Sequence, residues 1–230
     1  MLELSLIIPC RQLNDPNLRG LLQSIRQQSL NPDLYEVIVV TEGNSEQAKA
    51  IGIQRSKGRL LAFFCSDNVL RDPDYLACSI WYASIPGMTG CYSAQYDYVL
   101  ADKPLSRYFA LLGANDPLCW WLGKADRQSY LKLPKFDVQF FNGSIPSIGD
   151  NGFFVKKTAL DKIVINSDSH FPMDMCEDLR RVGEKSYTLT SVKVWHKSGE
   201  RFWDYFRRRY VYTRDLYFKQ VDKRRWHMVE

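Results

Sequence analysis

Apolar and polar residues alternate along the first third of the chain in short blocks that predict strands and helices in turn. Apolar runs rich in β-branched residues predict buried parallel strands at Glu3–Pro9, Glu36–Val40 and Arg59–Phe64. Apolar residues at helical spacing predict helices at Asn17–Gln28, Ser45–Arg55 and Asp72–Tyr82. We expect Asn17 and Ser45 to be the N-caps of the first two helices. This order predicts a nucleotide-binding α/β half, with ligands bound beyond the carboxyl ends of the strands.

The periodicity changes after about Gly90. The predicted elements are then a strand at Gly90–Leu100, a strand at Gly152–Lys156, a helix at Thr158–Ile163, a helix turn at Cys176–Val182 and a strand at Tyr187–His196. No internal repeat or low-complexity linker separates them. We therefore expect one α/β domain over residues 1–200, followed by a C-terminal extension over residues 201–230.

The net positive charge resides in the C-terminal extension. Residues 1–200 carry 22 basic and 22 acidic side chains, whereas residues 201–230 carry nine basic and four acidic ones, which account for the whole net charge of +5. The same extension contains nine of the 31 aromatic residues. We expect an anionic partner to dock at this end of the chain.

Several classes of protein are excluded by features that the sequence lacks. The six cysteines are scattered without a CxxC pair, which argues against zinc fingers and disulfide scaffolds and favours a reducing cytosol. No apolar run approaches the roughly 18 residues of a membrane span, and Met1–Pro9 lacks the basic flank of a signal peptide. The motifs of dehydrogenases, P-loop NTPases, zinc proteases and serine hydrolases do not occur. We expect a cytoplasmic location, with contact to the inner face of a membrane as one alternative.

A series of short motifs follows in a fixed order along the chain. These motifs are Ile7-Ile8-Pro9-Cys10, Ser24–Gln28, Val40–Ser45, Ser56–Arg59, Cys65-Ser66-Asp67-Asn68, Pro73–Leu76, Gly149–Gly152, Glu177-Asp178 and His196. By their order the chain resembles, from Leu4 to Gly199, the family 2 glycosyltransferases, which are inverting enzymes of the GT-A fold. The resemblance implies a mixed, mainly parallel sheet with helices on both faces. It also implies a nucleotide-binding half over residues 1–89 and an acceptor-binding half over residues 90–200.

The resemblance implies a nucleotide-sugar donor bound together with Mn²⁺ or Mg²⁺. A UDP-sugar is the first candidate for this donor. Such a cation prefers carboxylate and phosphate oxygens and stabilises the departing diphosphate. Asp67 is the implied metal-binding carboxylate, and His196 is a second implied ligand. The implied donor-binding residues are Pro9, Cys10, Arg11, Glu42, Lys57, Ser66 and Asp67. The alternatives are that Asp67 only ends a turn and that His196 is a packed core residue.

Two positions depart from the family pattern. Cys65 replaces the first acid of the metal motif, and Thr41 replaces the first acid of the nucleoside-binding pair, in which Glu42 remains. These departures leave open a catalytically impaired module that binds a nucleotide-sugar without turnover. A nucleotidyltransferase is a further alternative, but such an enzyme needs a glycine-rich basic loop after the first strand, and Cys10–Asn14 is not one.

The resemblance assigns the transfer chemistry to Glu177-Asp178. An inverting transfer needs one general base to take the proton of the acceptor hydroxyl, and Asp178 is the implied base with Glu177 beside it. Asp174 is a rival candidate for the base. The alternative is that Glu177 and Asp178 only stabilise the N-terminus of a helix. The acceptor is implied to be a glycan or a polyprenyl-linked saccharide. The implied acceptor-binding residues are Asn115, Asp116, Trp120, Asp150, Asn151 and Gly152.

The C-terminal extension predicts an amphipathic helix. Its aromatic residues, among them Trp203, Tyr205, Phe206 and Tyr210, fall on one arc of the helix, and most of its basic residues lie on the other side. Such a helix either lies in the headgroup layer of an anionic membrane or packs its aromatic residues on the domain. We do not expect nucleic acid as a partner, because the first 200 residues carry no net charge.

Overall fold

A computed structural model describes residues 2–93, 95–112, 131–132, 137–140, 150–166, 172–197 and 202–225. Strands and helices alternate in the first hundred residues, as the sequence predicts. The elements are β1 (Leu4–Pro9), α1 (Pro16–Arg26), β2 (Tyr35–Val40), α2 (Ser45–Arg55), β3 (Leu60–Phe63), β4 (Asn68–Val69), α3 (Tyr75–Ser84) and β5 (Gly90–Ser93).

The second half of the chain completes the sheet and adds the helices of the C-terminal side. Its described elements are α4 (Pro104–Leu112), β6 (Leu131–Lys132), β7 (Asp137–Phe140), β8 (Phe153–Lys156), α5 (Lys157–Leu160), α6 (Pro172–Arg181), β9 (Ser186–Thr190), β10 (Trp195–His196) and α7 (Phe202–Tyr212). After α7 the chain continues as a π-helical turn at Thr213–Tyr217 and a 3₁₀ segment at Phe218–Lys223.

Eight of the described strands form one mixed sheet in the order β2-β1-β3-β8-β5-β9-β7-β6. β1 pairs in parallel with β2 and β3, and β5 pairs in parallel with β9. β8 and β7 run antiparallel to their neighbours, so that the other six strands share one direction. Because β1, β2 and β3 are parallel, their carboxyl ends meet at one edge of the sheet.

Helices cover both faces of this sheet. Successive residues of a strand point to opposite faces, so Leu61 and Phe63 of β3 join the core beneath α2, α5 and α6. Leu60 and Ala62 join the other core, beneath α1, α3 and α4. The central strands are therefore buried on both sides, which explains their continuous apolar sequences.

Both predicted N-caps are displaced toward the preceding loop. Asp15, not Asn17, caps α1, and its carboxylate accepts a hydrogen bond from the backbone N–H of Asn17 at 2.9 Å. Pro16 takes the first helical position, where its missing N–H is not needed. Asn44, not Ser45, caps α2 within a capping box. In each case the side chain that accepts hydrogen bonds from the first turn stands earlier in the loop.

Two predicted long strands are interrupted in the structure. The strand predicted at Gly90–Leu100 ends at Ser93, and the strand predicted at Tyr187–His196 is divided into β9 and β10. β10 leaves the main sheet and pairs antiparallel with β4, which places His196 opposite Asn68. This pairing brings His196 to the loop that follows β3.

The C-terminal extension packs on the domain both through α7 and through its last described residues. Tyr205 of α7 is buried, with its ring centroid 4.5 Å from that of Phe109 in α4. Arg224 is fully buried, 3.1 Å from Glu46 in α2 and 3.3 Å from Asp174 in α6. Trp203, Phe206 and Tyr210 of α7 are exposed, so the predicted aromatic arc is divided between the domain and solvent. Over the described ranges, no helix combines the length and the apolar character that crossing a bilayer requires.

Candidate active site

A cleft of about 740 Å³ opens at the sheet edge where β1, β2 and β3 end. This volume lies in the range of small-molecule sites in proteins. Among the residues predicted from the sequence, seven line it: Pro9, Cys10, Arg11, Ser66, Asp67, Asp150 and His196. Three loops and the turn before β8 therefore meet at one place, although they are far apart in the sequence.

Asp67 and His196 face each other in this cleft. The Nε2 atom of His196 lies 3.4 Å from Oδ1 of Asp67, and the backbone N–H of Lys197 donates to the carbonyl of Asp67 at 3.2 Å. Over the described part of the chain, no three His, Cys, Asp or Glu side chains are grouped to hold a metal ion. A carboxylate and an imidazole fit a divalent cation that takes its remaining ligands from a bound phosphate and water.

Asn151, implied to bind the acceptor, lies behind the cleft and does not line it. The residue is buried, and its Oδ1 accepts a hydrogen bond from Nδ2 of Asn68 at 3.0 Å. Its Nδ2 donates to the hydroxyl of Tyr96 at 3.2 Å and lies 3.4 Å from Nδ1 of His196. Asn151 therefore contacts the back of His196 and not the space that a ligand would fill.

Gly152 also lies behind the cleft. It has a φ of +75°, a left-handed conformation that favours glycine, and a Cβ atom there would collide with the hydroxyl of Tyr75. The glycine is thus required by its backbone and by packing. The remaining implied acceptor residues lie outside the described ranges: Asn115, Asp116 and Trp120.

Sequence reasoning missed a buried cation in the cleft. The side chain of Lys49 in α2 is only 6% exposed, and its Nζ lies 2.5 Å from Oδ2 of Asp150. Burial of an ammonium group is costly unless an opposite charge compensates it, and Asp150 provides that charge. Ser45, Ala48 and Lys49 share one face of α2 at helical spacing, and all three line the cleft. This spacing, directly after the β2 loop, is the sequence signal that identifies Lys49.

Cys65 lies in the cleft at the position where the family motif has an acid. Burial raises the pKa of its thiol well above the ordinary value, and the charges of Asp67 and Asp150 raise it further. Without a bound metal ion, Cys65 is therefore a neutral thiol at physiological pH. Asp15, which the sequence did not single out, adds a carboxylate to the lining, and one of its oxygens lies 3.4 Å from Oγ of Ser66.

Glu42 and Lys57, implied to bind the nucleotide, are exposed and lie outside the cleft lining. The carboxylate of Glu42 accepts a hydrogen bond from Arg55 at 2.8 Å, which lowers the pKa of Glu42. The backbone N–H of Lys57 donates to Glu36 at 2.6 Å. The adjacent Gly43 does line the cleft, with a φ of +72°. The β2 loop thus reaches the cleft at Gly43 and not through the carboxylate beside it.

Glu177 and Asp178 lie in the middle of α6, and neither lines the cleft. The helix begins at Pro172, four residues earlier than the turn predicted at Cys176, so the acid of its first turn is Asp174. The alternative in which Glu177 and Asp178 stabilise a helix N-terminus is therefore wrong. Asp174 is fully buried and contacts the C-terminal extension.

Arginine side chains bind the carboxylates of Glu177 and Asp178. Burial raises the pKa of Glu177, but hydrogen bonds from Arg180 at 2.6 Å and Arg181 at 3.1 Å outweigh it, so the pKa is lowered. Arg225 donates to the two oxygens of Asp178 at 2.7 and 2.9 Å. For Asp178 burial is the stronger effect, and its pKa is raised despite Arg225.

A solved mannosyltransferase has the same fold as this chain. The mannosyltransferase PcManGT from Pyrobaculum calidifontis, in complex with GDP-Man and Mn²⁺, matches with a TM-score of 0.60 at 14% identity, over 91% of this chain and 61% of that one. The 1–349 fragment of TarS from S. aureus matches with a TM-score of 0.49 at 11% identity, over 96% of this chain and 68% of the fragment. No protein-family model and no curated protein sequence matches the chain.

The similarity to PcManGT establishes the fold. The predicted fold class is confirmed: a mixed sheet of the GT-A type with helices on both faces. This chain spans 61% of the length of the mannosyltransferase and 41% of the length of the longer TarS chain.

Proposed function

We propose that this chain is a glycosyltransferase that binds a nucleotide-sugar donor in the cleft at the ends of β1, β2 and β3. One observation carries the proposal: a single cleft combines the Asp67–His196 pair with the buried ammonium group of Lys49. A nucleoside diphosphate needs positive charge around its phosphates, and a metal ion together with a lysine provides it. The fold shared with a mannosyltransferase solved with GDP-Man and Mn²⁺ supports this assignment.

We assign Mn²⁺ or Mg²⁺ to Asp67 and His196. When bound, the cation would neutralise the charge that develops on the departing diphosphate. Asp67 would hold it with a carboxylate from the loop after β3, and Lys49 would donate to a phosphate oxygen from α2. Cys65 stands in place of the first acid of the motif, so Asp67 is the acid of that motif that remains for the metal ion.

The reaction that fits this site is a single displacement with inversion, as in family 2 enzymes. The hydroxyl oxygen of the acceptor forms a bond to the anomeric carbon, and the bond from that carbon to the diphosphate oxygen breaks. The diphosphate leaves with the electron pair, and the hydroxyl proton passes to a carboxylate. Asp178, beside Glu177, is the base implied by the resemblance, whereas Asp150 is a carboxylate that lines the cleft.

Substitutions separate these two candidates for the base. Removal of the base is expected to abolish turnover, because the base takes the proton of the acceptor. Asp178→Asn should keep its affinity for the nucleotide, whereas Asp150→Asn also removes the counter-ion of Lys49 and should change that affinity. Asp178→Asn and Asp150→Asn are the matched pair, measured by release of the nucleoside diphosphate and by calorimetric binding of UDP and GDP. Turnover that survives in both variants would contradict a carboxylate base at either position.

A panel of UDP- and GDP-sugars with Mn²⁺ tests the proposed function. We expect metal-dependent binding of one nucleotide and its release from the sugar, both lost in Asp67→Asn. Failure of every nucleotide to bind, with and without Mn²⁺, would overturn the proposal. Binding without turnover would instead favour a catalytically impaired binding module, which the neutral Cys65 and the Arg225-bound Asp178 support.

The proposal includes an anionic membrane as a partner of α7. Trp203, Phe206 and Tyr210 lie on one stripe of this helix and are 79%, 50% and 65% exposed. Arg207 is exposed on the same stripe, and the guanidinium of Arg214 lies 5.4 Å from the ring centroid of Tyr210. Exposed aromatic and basic residues on one face suit the headgroup layer, which would bring a lipid-linked acceptor to the domain.

A further inference from the structure

We infer that Asn151 is a positioning residue that sets the orientation and the tautomer of His196. This inference rests on the proposed function, in which His196 faces a metal site. It replaces the contact with the acceptor that the sequence implied for Asn151. A chain of hydrogen bonds from the backbone of the β3 loop to the imidazole carries it.

The chain begins at the backbone N–H of Cys65, which donates to Oδ1 of Asn68 at 3.0 Å. A backbone N–H only donates, so the amide oxygen of Asn68 must face it and the amide nitrogen must face away. That nitrogen donates to Oδ1 of Asn151 at 3.0 Å. The orientation of the first amide therefore fixes that of the second.

The second amide in turn fixes the imidazole. With its oxygen turned to Asn68, Asn151 presents Nδ2 to the Tyr96 hydroxyl at 3.2 Å and to Nδ1 of His196 at 3.4 Å. Nδ1 accepts this hydrogen bond only if it carries no proton, so the proton of the neutral ring lies on Nε2. Nε2 is the nitrogen that lies 3.4 Å from Oδ1 of Asp67.

The side chain at position 151 therefore affects the affinity of the site for a metal ion. A metal ligand must offer a bare nitrogen, and for Nε2 this requires the proton to move to Nδ1. In Asn151→Asp, three neighbours are able to donate to the new carboxylate: Nδ2 of Asn68, the hydroxyl of Tyr96 and a protonated Nδ1 of His196. The substitution thus favours the tautomer that leaves Nε2 bare, and the neighbours satisfy the buried charge.

Nitrogen NMR of the full chain with isotope-labelled histidine tests the positioning role without any metal. The chain has three histidines, and His170→Gln and His227→Gln identify the signals of His196. We expect a proton on Nε2 in the wild type, a proton on Nδ1 in Asn151→Asp, and loss of the preference in Asn151→Leu. Asn166→Leu, which changes an exposed asparagine, is the matched control and should leave His196 unchanged.

An unchanged tautomer of His196 in both Asn151 variants would overturn the inference. Circular dichroism of each variant shows whether it is folded. If Asn151→Leu does not fold, Asn151→Asp still tests the inference, because aspartate has the same shape as asparagine. The positioning role is therefore decided even if the chain proves not to be a transferase.

The affinity for Mn²⁺, measured by electron paramagnetic resonance with UDP or GDP present, tests the link to the metal. We expect Asn151→Asp to bind Mn²⁺ about 10-fold more tightly than the wild type, as groups behind a ligand commonly change affinity by this much. If the tautomer of His196 switches and the affinity for Mn²⁺ does not change, Asn151 positions His196 but His196 is not a metal ligand. Absence of nucleotide and Mn²⁺ binding in every variant would overturn the proposed function alone.

Discussion

Arg225 binds the carboxylate of Asp178 through both oxygens, at 2.7 and 2.9 Å, from the last described residue of the C-terminal extension. Asp178 lies in the middle of α6, outside the cleft lining, and burial raises its pKa against the attraction of Arg225. A hydroxyl that is to give its proton to Asp178 must therefore compete with a guanidinium. The C-terminal extension and the implied base are coupled by this contact.

Arg225→Gln is expected to raise the pKa of Asp178 further, because the charge and the hydrogen bonds that lower it are removed. A base must be deprotonated, so activity falls as the pH decreases through its pKa, and in the variant this fall should begin at a higher pH. The pH profile of kcat/KM measures the change. An unmoved acidic limb would show that Asp178 is not the base.

Arg224→Ala is expected to destabilise the fold strongly. Arg224 is fully buried between Glu46 and Asp174, so its removal leaves two buried carboxylates without their cation. Breaking a buried charge pair in this way costs roughly 3–5 kcal/mol. Urea unfolding followed by circular dichroism gives the free energy of unfolding.

The matched control for this prediction is Arg214→Ala, in the same extension. Arg214 is exposed and pairs with Asp215, and an exposed ion pair contributes little to stability. Equal losses of stability in the two variants would show that the buried cluster is not what holds the extension on the domain.

Lys49→Met is expected to weaken the binding of UDP or GDP about 10- to 100-fold, since a hydrogen bond to a charged group contributes about 1.5–3 kcal/mol. Methionine keeps the length of the side chain and removes the ammonium group that lines the cleft. Isothermal titration calorimetry measures the affinity, with Lys162→Met, an exposed lysine, as the control. Unchanged affinity in Lys49→Met would show that the phosphates do not bind beside residue 49.

Glu177→Gln is expected to lower stability at neutral pH and to have no effect in acid. The pKa of Glu177 is lowered in the folded protein, so its stabilising contribution is present above the pKa of the unfolded chain and is lost as the pH falls through the folded value. The difference in unfolding free energy between wild type and variant should therefore shrink below about pH 4. A difference that persists in acid would show a cause other than charge.

Removal of the exposed aromatic rings of α7 is expected to abolish binding to anionic vesicles. Trp203→Ser with Tyr210→Ser tests this in a flotation assay with phosphatidylglycerol vesicles, and Trp81→Ser, an exposed tryptophan of α3, is the control. Arg207→Glu should weaken binding in a salt-dependent way, because the headgroup attraction is electrostatic. Equal flotation of all variants would show that α7 does not contact the membrane. Dimers that form with increasing concentration and are lost in the α7 variants would show that this face binds a second copy of the chain.

The sequence by itself determined the α/β half and the loops that form the cleft. The apolar run at Arg59–Phe64 is continuous because β3 is buried on both faces, and that pattern is local. The run at Glu36–Val40 forms the edge strand β2, which is only partly buried with Val37 exposed, so the prediction of a buried strand was wrong there. Parallel pairing then brings the ends of β1, β2 and β3 to one edge, where Cys10 and Asp67 line the cleft. Both N-caps were misplaced because several neighbouring residues are competent to cap a helix, and the geometry of the loop selects one.

Only the tertiary structure decided which polar residues share a space. Lys49 and Asp150 are 101 residues apart, and their ion pair exists because α2 and the turn before β8 meet at the cleft. Asn151 faces His196 and not a ligand because β10 leaves the sheet to pair with β4. Asp178 is held by Arg225 because the extension folds back onto α6. Local periodicity fixes the elements, whereas these contacts depend on how distant elements pack, which no short stretch of sequence encodes.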